Sequence, residues 1–281
     1  MFEWLNVFLE KPAQPLKEAM QPEHSSLCFI IDSIRQPRAK TELYGLPGTL
    51  LIEALFSNTE FADLLEHSPL WVVTQSGSEA AQVAAQLCVE QRSGIAIDAA
   101  DAKAGLRQAR HLLKVKDAGG FSLARYYDPA VWAGCALAAG EQTATLYGPW
   151  QAVHSPAAQG RGTDDLWLSW SNQSPEPLAV VTTPLAMTAD MLAASESLRW
   201  SYWVYQHPAQ FQTPDIQQWP QLIANLNDLT EHGLQGTRHL LSLAQLASGP
   251  ALSTRPEVVA IFAKGLPQHR AAAELRNLAA N

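Results

Sequence analysis

Apolar and polar positions along the chain follow two rhythms. The runs "LCFIID" (27–32) and "LWVVTQ" (70–75) are dense in β-branched and aromatic residues and are bounded by turn formers, which predicts buried strands. Between them "TEFADLLEH" has Thr59 placed to cap a short helix that Pro69 ends. "SEAAQVAAQLCVEQ" predicts a helix capped by Ser78 and closed by Gly94, and "GIAIDA" the next strand. From Asp101 to Lys114 the spacing is helical, with Ala102, Leu106, Ala109 and Leu113 on one face and Lys103, Arg107, Arg110 and Lys114 as a basic stripe on another.

A strand over 122–128 then leads to "PAVWAGCALAAG", a helix opened by Pro129, followed by the "LYGPW" turn and two extended runs, "WQAVHS" and "LWLSW". Between Ser171 and Pro184 the sequence changes to "SNQSPEPLAVVTTP", a boundary by its prolines and polar clusters. Beyond it the pattern is helical. One helix stops at Pro208, a second carries Leu222, Leu226 and Leu229 after Pro220, and "TRHLLSLAQLAS" is apolar on most sides and reads as a buried helix. Thr254 and Glu257 have capping-box spacing, with Gly265 and Pro267 as the stop. The expected fold is an α/β amino-terminal lobe over 24–175, a mixed sheet with flanking helices, plus an all-α carboxyl-terminal lobe over 184–281. Residues 1–23 form a lead-in segment. No internal repeat or low-complexity tract interrupts this plan.

Composition narrows the function classes. With 281 residues, 47% of them apolar, the chain can bury a sizeable core. A formal net charge of −8 has the wrong sign for gripping phosphate backbones, which argues against nucleic acid. Cys28, Cys88 and Cys135 are odd in number, far apart and set in apolar segments, as reduced packed thiols are. The opening "MFEWLNVFLEKP" lacks a basic region and a cleavage site, and no run approaches the ~20 apolar residues of a membrane helix. The expectation is a soluble, cytoplasmic protein that does not enter a membrane.

Catalytic signatures are sparse. The nucleophile-elbow pattern is absent, "QSGSE" (75–79) being the nearest sequence. His232 and His239 are too far apart for a usual zinc pair, "GRG" (160–162) has no strand before it or helix after it, and Asp164 and Asp165 sit in a polar turn. A hydrolase assembled from distant positions would use Ser33, His111 and Asp128. The segment "LARYYDP" (123–129) is more informative. Read as a strand, it sets Leu123, Arg125 and Tyr127 on one face and Ala124, Tyr126 and Asp128 on the other. Asp128 followed by Pro129 is a helix opener, and Arg125 calls for a carboxylate partner, Asp128 or Asp32.

In their order, "SPLWVV" (68–73), "SGIAIDA" (93–99), "LRQARHLLKVKDAGG" (106–120), "ARYYDP" (124–129) and "LYGPW" (146–150) resemble the effector-loading adaptors, or chaperones, of bacterial type VI secretion, long catalogued as a domain of unknown function. The resemblance covers about Leu27 to Trp150, and "EHGL" (231–234) and "SGPAL" (248–252) are similar to that family's less regular carboxyl lobe. The Pro- and Gln-rich lead-in departs from it. The resemblance implies a non-enzymatic protein without a cofactor that binds an effector toxin, delivers it to the spike protein VgrG and stays in the producing cell. Arg125, Tyr126, Tyr127, Asp128 and Pro129 transfer as fold-defining positions. The partner-binding candidates are Lys103, Arg107, Arg110 and Lys114, which offer a one-signed local field, together with Trp200 and Trp203, which crowd with Tyr202 and Tyr205 on one helix. A general protein-binding scaffold is the remaining alternative, and the oligomeric state stays open.

Overall fold

A computed structural model describes residues 3–19, 26–159, 165–173, 181–211 and 214–279. The chain divides into two compact units, one of residues Glu10–Leu198 and one that joins the residues up to Leu9 with those from Arg199 onward. The chain therefore opens in one unit with α1 (Glu3–Glu10) and crosses at once into the other.

The larger unit contains, in order, α2 (Leu16–Ala19), β1 (Ser26–Ile31), α3 (Ala39–Leu43), β2 (Thr49–Ala54), a 3-10 segment (Ala62–His67), β3 (Leu70–Gln75), α4 (Glu79–Glu90), β4 (Gly94–Asp98), α5 (Ala102–His111), β5 (Lys114–Asp117), β6 (Gly120–Leu123), α6 (Pro129–Ala138), α7 (Thr143–Tyr147), β7 (Ala152–Pro156), β8 (Trp167–Ser171) and β9 (Leu185–Ala186). Six strands form one sheet in the order β2-β3-β1-β4-β7-β8, antiparallel throughout. The mixed pairing is confined to a small second sheet, β6-β5-β9, in which β5 and β9 run parallel.

The central strands are continuous apolar runs because both faces of the large sheet are covered. On one face Leu27, Phe29, Ile31, Val72 and Ala96 pack with Leu43 of α3 and with Ala84, Leu87 and Cys88 of α4. On the other, Gly105 lets α5 come so close to Trp71 that a β-carbon there would lie 3.2 Å from the indole. An aromatic group adjoins α5, with Trp132 centred 5.7 Å from Trp150 and 6.5 Å from Tyr126, and the Trp150 indole N–H donates to the Gly105 carbonyl.

Ser78 caps α4 by accepting from the Ala81 N–H at 3.2 Å, as expected. The chain leaves that helix through Arg92, whose φ of +49° makes the turn that the sequence assigned to Gly94. Gly94 instead opens β4, where a β-carbon would stand 2.2 Å from the Ile30 carbonyl oxygen. Thr59 caps no helix: its hydroxyl bonds the Phe56 carbonyl and the Phe61 N–H within a turn, and the following segment winds as 3-10. The three cysteines are free and buried; desolvation, then Asp98 and Asp101, push the Cys28 thiol up to about 12.

One buried histidine ties stability to pH. His154 on β7 is 1% exposed, its Nδ1 lies 2.9 Å from the Ser169 hydroxyl, and Nε2 has no hydrogen-bond partner among the described residues. Burial lowers its pKa to about 4 against the opposing pull of Asp98. The unfolded chain therefore takes up a proton near pH 6.5 that the folded chain refuses until about pH 4. Stability should be highest above pH 6.5 and fall across that window by on the order of 3 kcal/mol. Urea unfolding of wild type and His154→Gln between pH 4.5 and 7.5 checks this: the slope should flatten in the variant.

The remaining helices are α8 (Ala189–Tyr205), inside which the two units divide, then α9 (Trp219–Glu231), α10 (Thr237–Ser242), α11 (Ala244–Ala247), α12 (Pro256–Ala263) and α13 (Gln268–Ala279). Leu222, Leu226 and Leu229 are buried, and so are Leu5 and Phe8 of α1. The run "TRHLLSLAQLAS" breaks at Leu243, whose φ of −111° and ψ of 11° separate α10 from α11. The Thr254–Glu257 capping box does not form. Pro256 takes the first helical position, so Arg255 becomes the cap residue, while Thr254 closes a 3-10 turn onto the Ala251 carbonyl. No helix among the described residues is long and apolar enough to cross a membrane.

Candidate functional site

The segment "LARYYDP" is not a strand beyond Leu123. The Asp128 N–H donates to the Arg125 carbonyl at 3.0 Å, so residues 125–128 form a tight turn. Strand alternation is lost, and Tyr126 and Tyr127 are both buried, their rings edge-on at 5.7 Å. The Tyr126 hydroxyl donates to the Ala109 carbonyl at 2.6 Å, which fastens the turn to α5. Burial raises both phenol pKa values, that of Tyr127 to about 12.

The turn brings four charges into one clasp. Arg125, itself exposed, donates to the buried Asp32, one of the two carboxylates expected from the sequence, and also hydrogen-bonds Tyr127. Arg35 donates to Asp128 at 2.8 Å, stands 3.8 Å from Asp32 and donates to the Arg92 carbonyl at 2.7 Å. Asp128 meanwhile caps α6, accepting from the Ala130 and Val131 N–H groups at 3.0 and 3.4 Å, with Pro129 in the first turn. The carboxylates are deep, with Asp32 4% and Asp128 14% exposed as side chains, while the guanidinium groups reach solvent. Desolvation is the largest single influence on Arg125 and lowers its pKa, yet the Asp32 charge and hydrogen bond, with Tyr127 and Asp128, together outweigh it and the net direction is upward. Each carboxylate is thus engaged by a cation. The arrangement holds the end of β1, the turn and the start of α6 together.

Gln108 was not singled out from the sequence. Its buried amide donates to the Thr145 and Leu146 carbonyls at 2.9 and 3.1 Å. Gly148, with φ of +53°, passes so close that a β-carbon would lie 2.5 Å from the amide oxygen, which is why "LYGPW" needs its glycine. Asn225, wholly buried on α9, does similar work, donating to the Ala247, Gly249 and Pro250 carbonyls and accepting from the Leu252 N–H. The polar residue inside each apolar helix face was the available signal.

The basic stripe is divided. α5 ends at His111, so Lys114 belongs to β5, where it pairs with Glu60 at 2.9 Å and sits over the Phe121 ring. Arg110 binds Glu53 and donates to the Leu55 carbonyl, an acceptor that Pro69 opposite, having no N–H, cannot satisfy. Lys103 and Arg107 remain exposed on α5. Trp200 and Trp203 are half-buried within the helical unit. The Trp200 indole donates to Asn227 at 2.6 Å, and Trp203 packs edge-on to Trp200 and Phe211.

Ser33, His111 and Asp128 are engaged separately: the Ser33 hydroxyl donates to the Ser68 carbonyl, the His111 ring meets the Thr183 carbonyl, and Asp128 is in the clasp. His232 stacks on Phe262, and no cluster of three metal-ligating side chains occurs among the described residues. Asp165 accepts from the Trp167 indole at 2.6 Å; Gly160, Gly162 and Asp164 lie outside the described residues.

Residues 28–146 match the family described as Domain of unknown function (DUF4123). No curated protein and no solved structure matches the chain.

Proposed function

We propose that the chain is a type VI secretion adaptor that binds a cognate effector toxin in the cytoplasm of the producing cell and loads it onto the VgrG spike, with no catalytic step of its own. One observation carries this reading: the sequence blocks that resemble the adaptors bond to one another. The turn "ARYYDP" fastens to "LRQARHLLKVKDAGG" through Tyr126, and Gln108 of that block holds the backbone at "LYGPW". Blocks that interlock in this way preserve a shape, as a binding protein requires. The match over residues 28–146 takes in most of the same blocks.

Lys103 and Arg107, exposed on α5, supply the local positive field for an acidic segment of effector or spike. Purified chain, the effector encoded beside it and the matching VgrG should elute together in gel filtration, and deleting the chain should stop secretion of that effector alone. Lys103→Glu with Arg107→Glu should slow association about tenfold at low salt without changing the melting temperature. Normal secretion of every effector in the deletion strain would sink the proposal.

A further inference from the structure

The two edges of the large sheet are finished differently. At β8 the Ala157 N–H donates to the Leu166 carbonyl, which fixes the alternation: Leu168 and Trp170 turn their main-chain groups to β7, and Trp167 turns its own outward. Both outward groups of Trp167 are taken by Gln14, at 2.8 and 3.0 Å. At β2 the Leu55 N–H donates to the Pro69 carbonyl at 2.8 Å, so Glu53 and Leu51 face β3, while Ile52 and Ala54 point away from it. Ser57 occupies the Ala54 carbonyl, but the Ile52 N–H and C=O and the Ala54 N–H meet no partner among the described residues.

This edge carries little of the charge or proline that normally blunts one; a bulge between Thr49 and Leu51 is its one such device. Leu50 is 60% and Leu51 41% exposed, and the strand's single charge, Glu53, is held by Arg110. The chemistry of an occupant follows from the connection to β3. Glu60 there is paired with Lys114 and Glu66 lies 3.4 Å from the His67 ring, but Asp63 and Glu66 are both exposed beside Leu64 and Leu65, themselves 44% and 47% exposed. We infer that the free edge of β2 takes an extended segment of another protein, apolar in its middle and bearing Lys or Arg toward the Asp63–Glu66 end. A second copy of this chain would bring its own net charge of −8 to the same edge. The inference rests on main-chain geometry and goes beyond the adaptor reading, since it holds for any partner with such a strand.

The test uses an acetylated peptide of about eight alternating valine and threonine residues with lysines at one end, and the same peptide N-methylated at alternate positions. Residue-resolved hydrogen exchange on the full chain should show the first peptide slowing exchange at Ile52 and Ala54 by about tenfold or more at saturation, and the methylated one leaving it unchanged. Asp63→Lys with Glu66→Lys should weaken binding about tenfold and remove its salt dependence, at an unchanged melting temperature. The inference is overturned if neither amide is slowed, if the methylated peptide binds equally well, or if the chain dimerises through β2 without peptide.

Discussion

Replacing Asp32 with alanine should lower the free energy of unfolding by about 3 kcal/mol, more than any other single change in the clasp. The Asp32 side chain is 4% exposed and accepts from Arg125 and from the Ile34 N–H, with Arg35 beside it. Its loss strands two cations whose positions are fixed by other bonds. Both guanidinium groups are part-exposed, Arg35 by 36% and Arg125 by 45%, so water can relieve some of the penalty. The effect therefore sits at the lower end of the ~3–5 kcal/mol seen when a buried pair is broken. Arg125→Ala should do less, because the carboxylate is the deeper partner. In urea unfolding of the two single variants and the double variant, a coupling energy of about 1–3 kcal/mol is expected. Additive effects would mean that the two residues act independently, and that Arg125 is free to serve as a contact residue.

Phe8→Ala should be at least as damaging, at about 3–5 kcal/mol, and its damage should appear far away in sequence. Phe8 and Leu5 are wholly buried, and the Phe8 ring lies 5.9 Å from Tyr202 on α8. Because α1 belongs to the unit built from Arg199 onward, truncating this ring should loosen α9 to α13 while leaving the sheet intact. Hydrogen exchange can separate the two: amides of Leu222 to Leu229 should lose protection, and those of Phe29 to Ile31 and Ile95 to Ile97 should keep theirs. Equal loss in both regions would mean that the units unfold as one.

Short apolar runs rich in β-branched or aromatic residues and bounded by turn formers located β1, β3 and β4, which are covered on both faces, and β7 and β8 were read as short extended runs after the "LYGPW" turn. It missed β2, where the bulge after Thr49 turns both Leu50 and Leu51 toward solvent and spoils the alternation that marks a half-buried strand. It also missed α1, since a helix of eight residues with its packing partner at Tyr202 has no local signature in a lead-in. In the site, the Asp128 cap and the need of Arg125 for a carboxylate were legible from local chemistry alone. That Glu53 and Glu60 would claim Arg110 and Lys114 was not, because spacing on one helix says nothing of acids arriving from another element. The turn at 125–128 was hidden by strand-like residues whose main chain folds back for the sake of two buried phenols.

That the helical unit draws on both α1 and the residues beyond Arg199 also fixes an order of events during synthesis. α1 leaves the ribosome before the sheet does, yet its partners are translated after the sheet. At about 5–20 residues per second the intervening stretch takes on the order of ten seconds or more, ample time for the sheet to form. Throughout that interval the apolar side chains of Leu5 and Phe8 have no native home. A nascent chain stalled shortly before Arg199 should therefore carry a folded sheet and an α1 segment whose apolar face is still exposed, the state in which a general chaperone would find it.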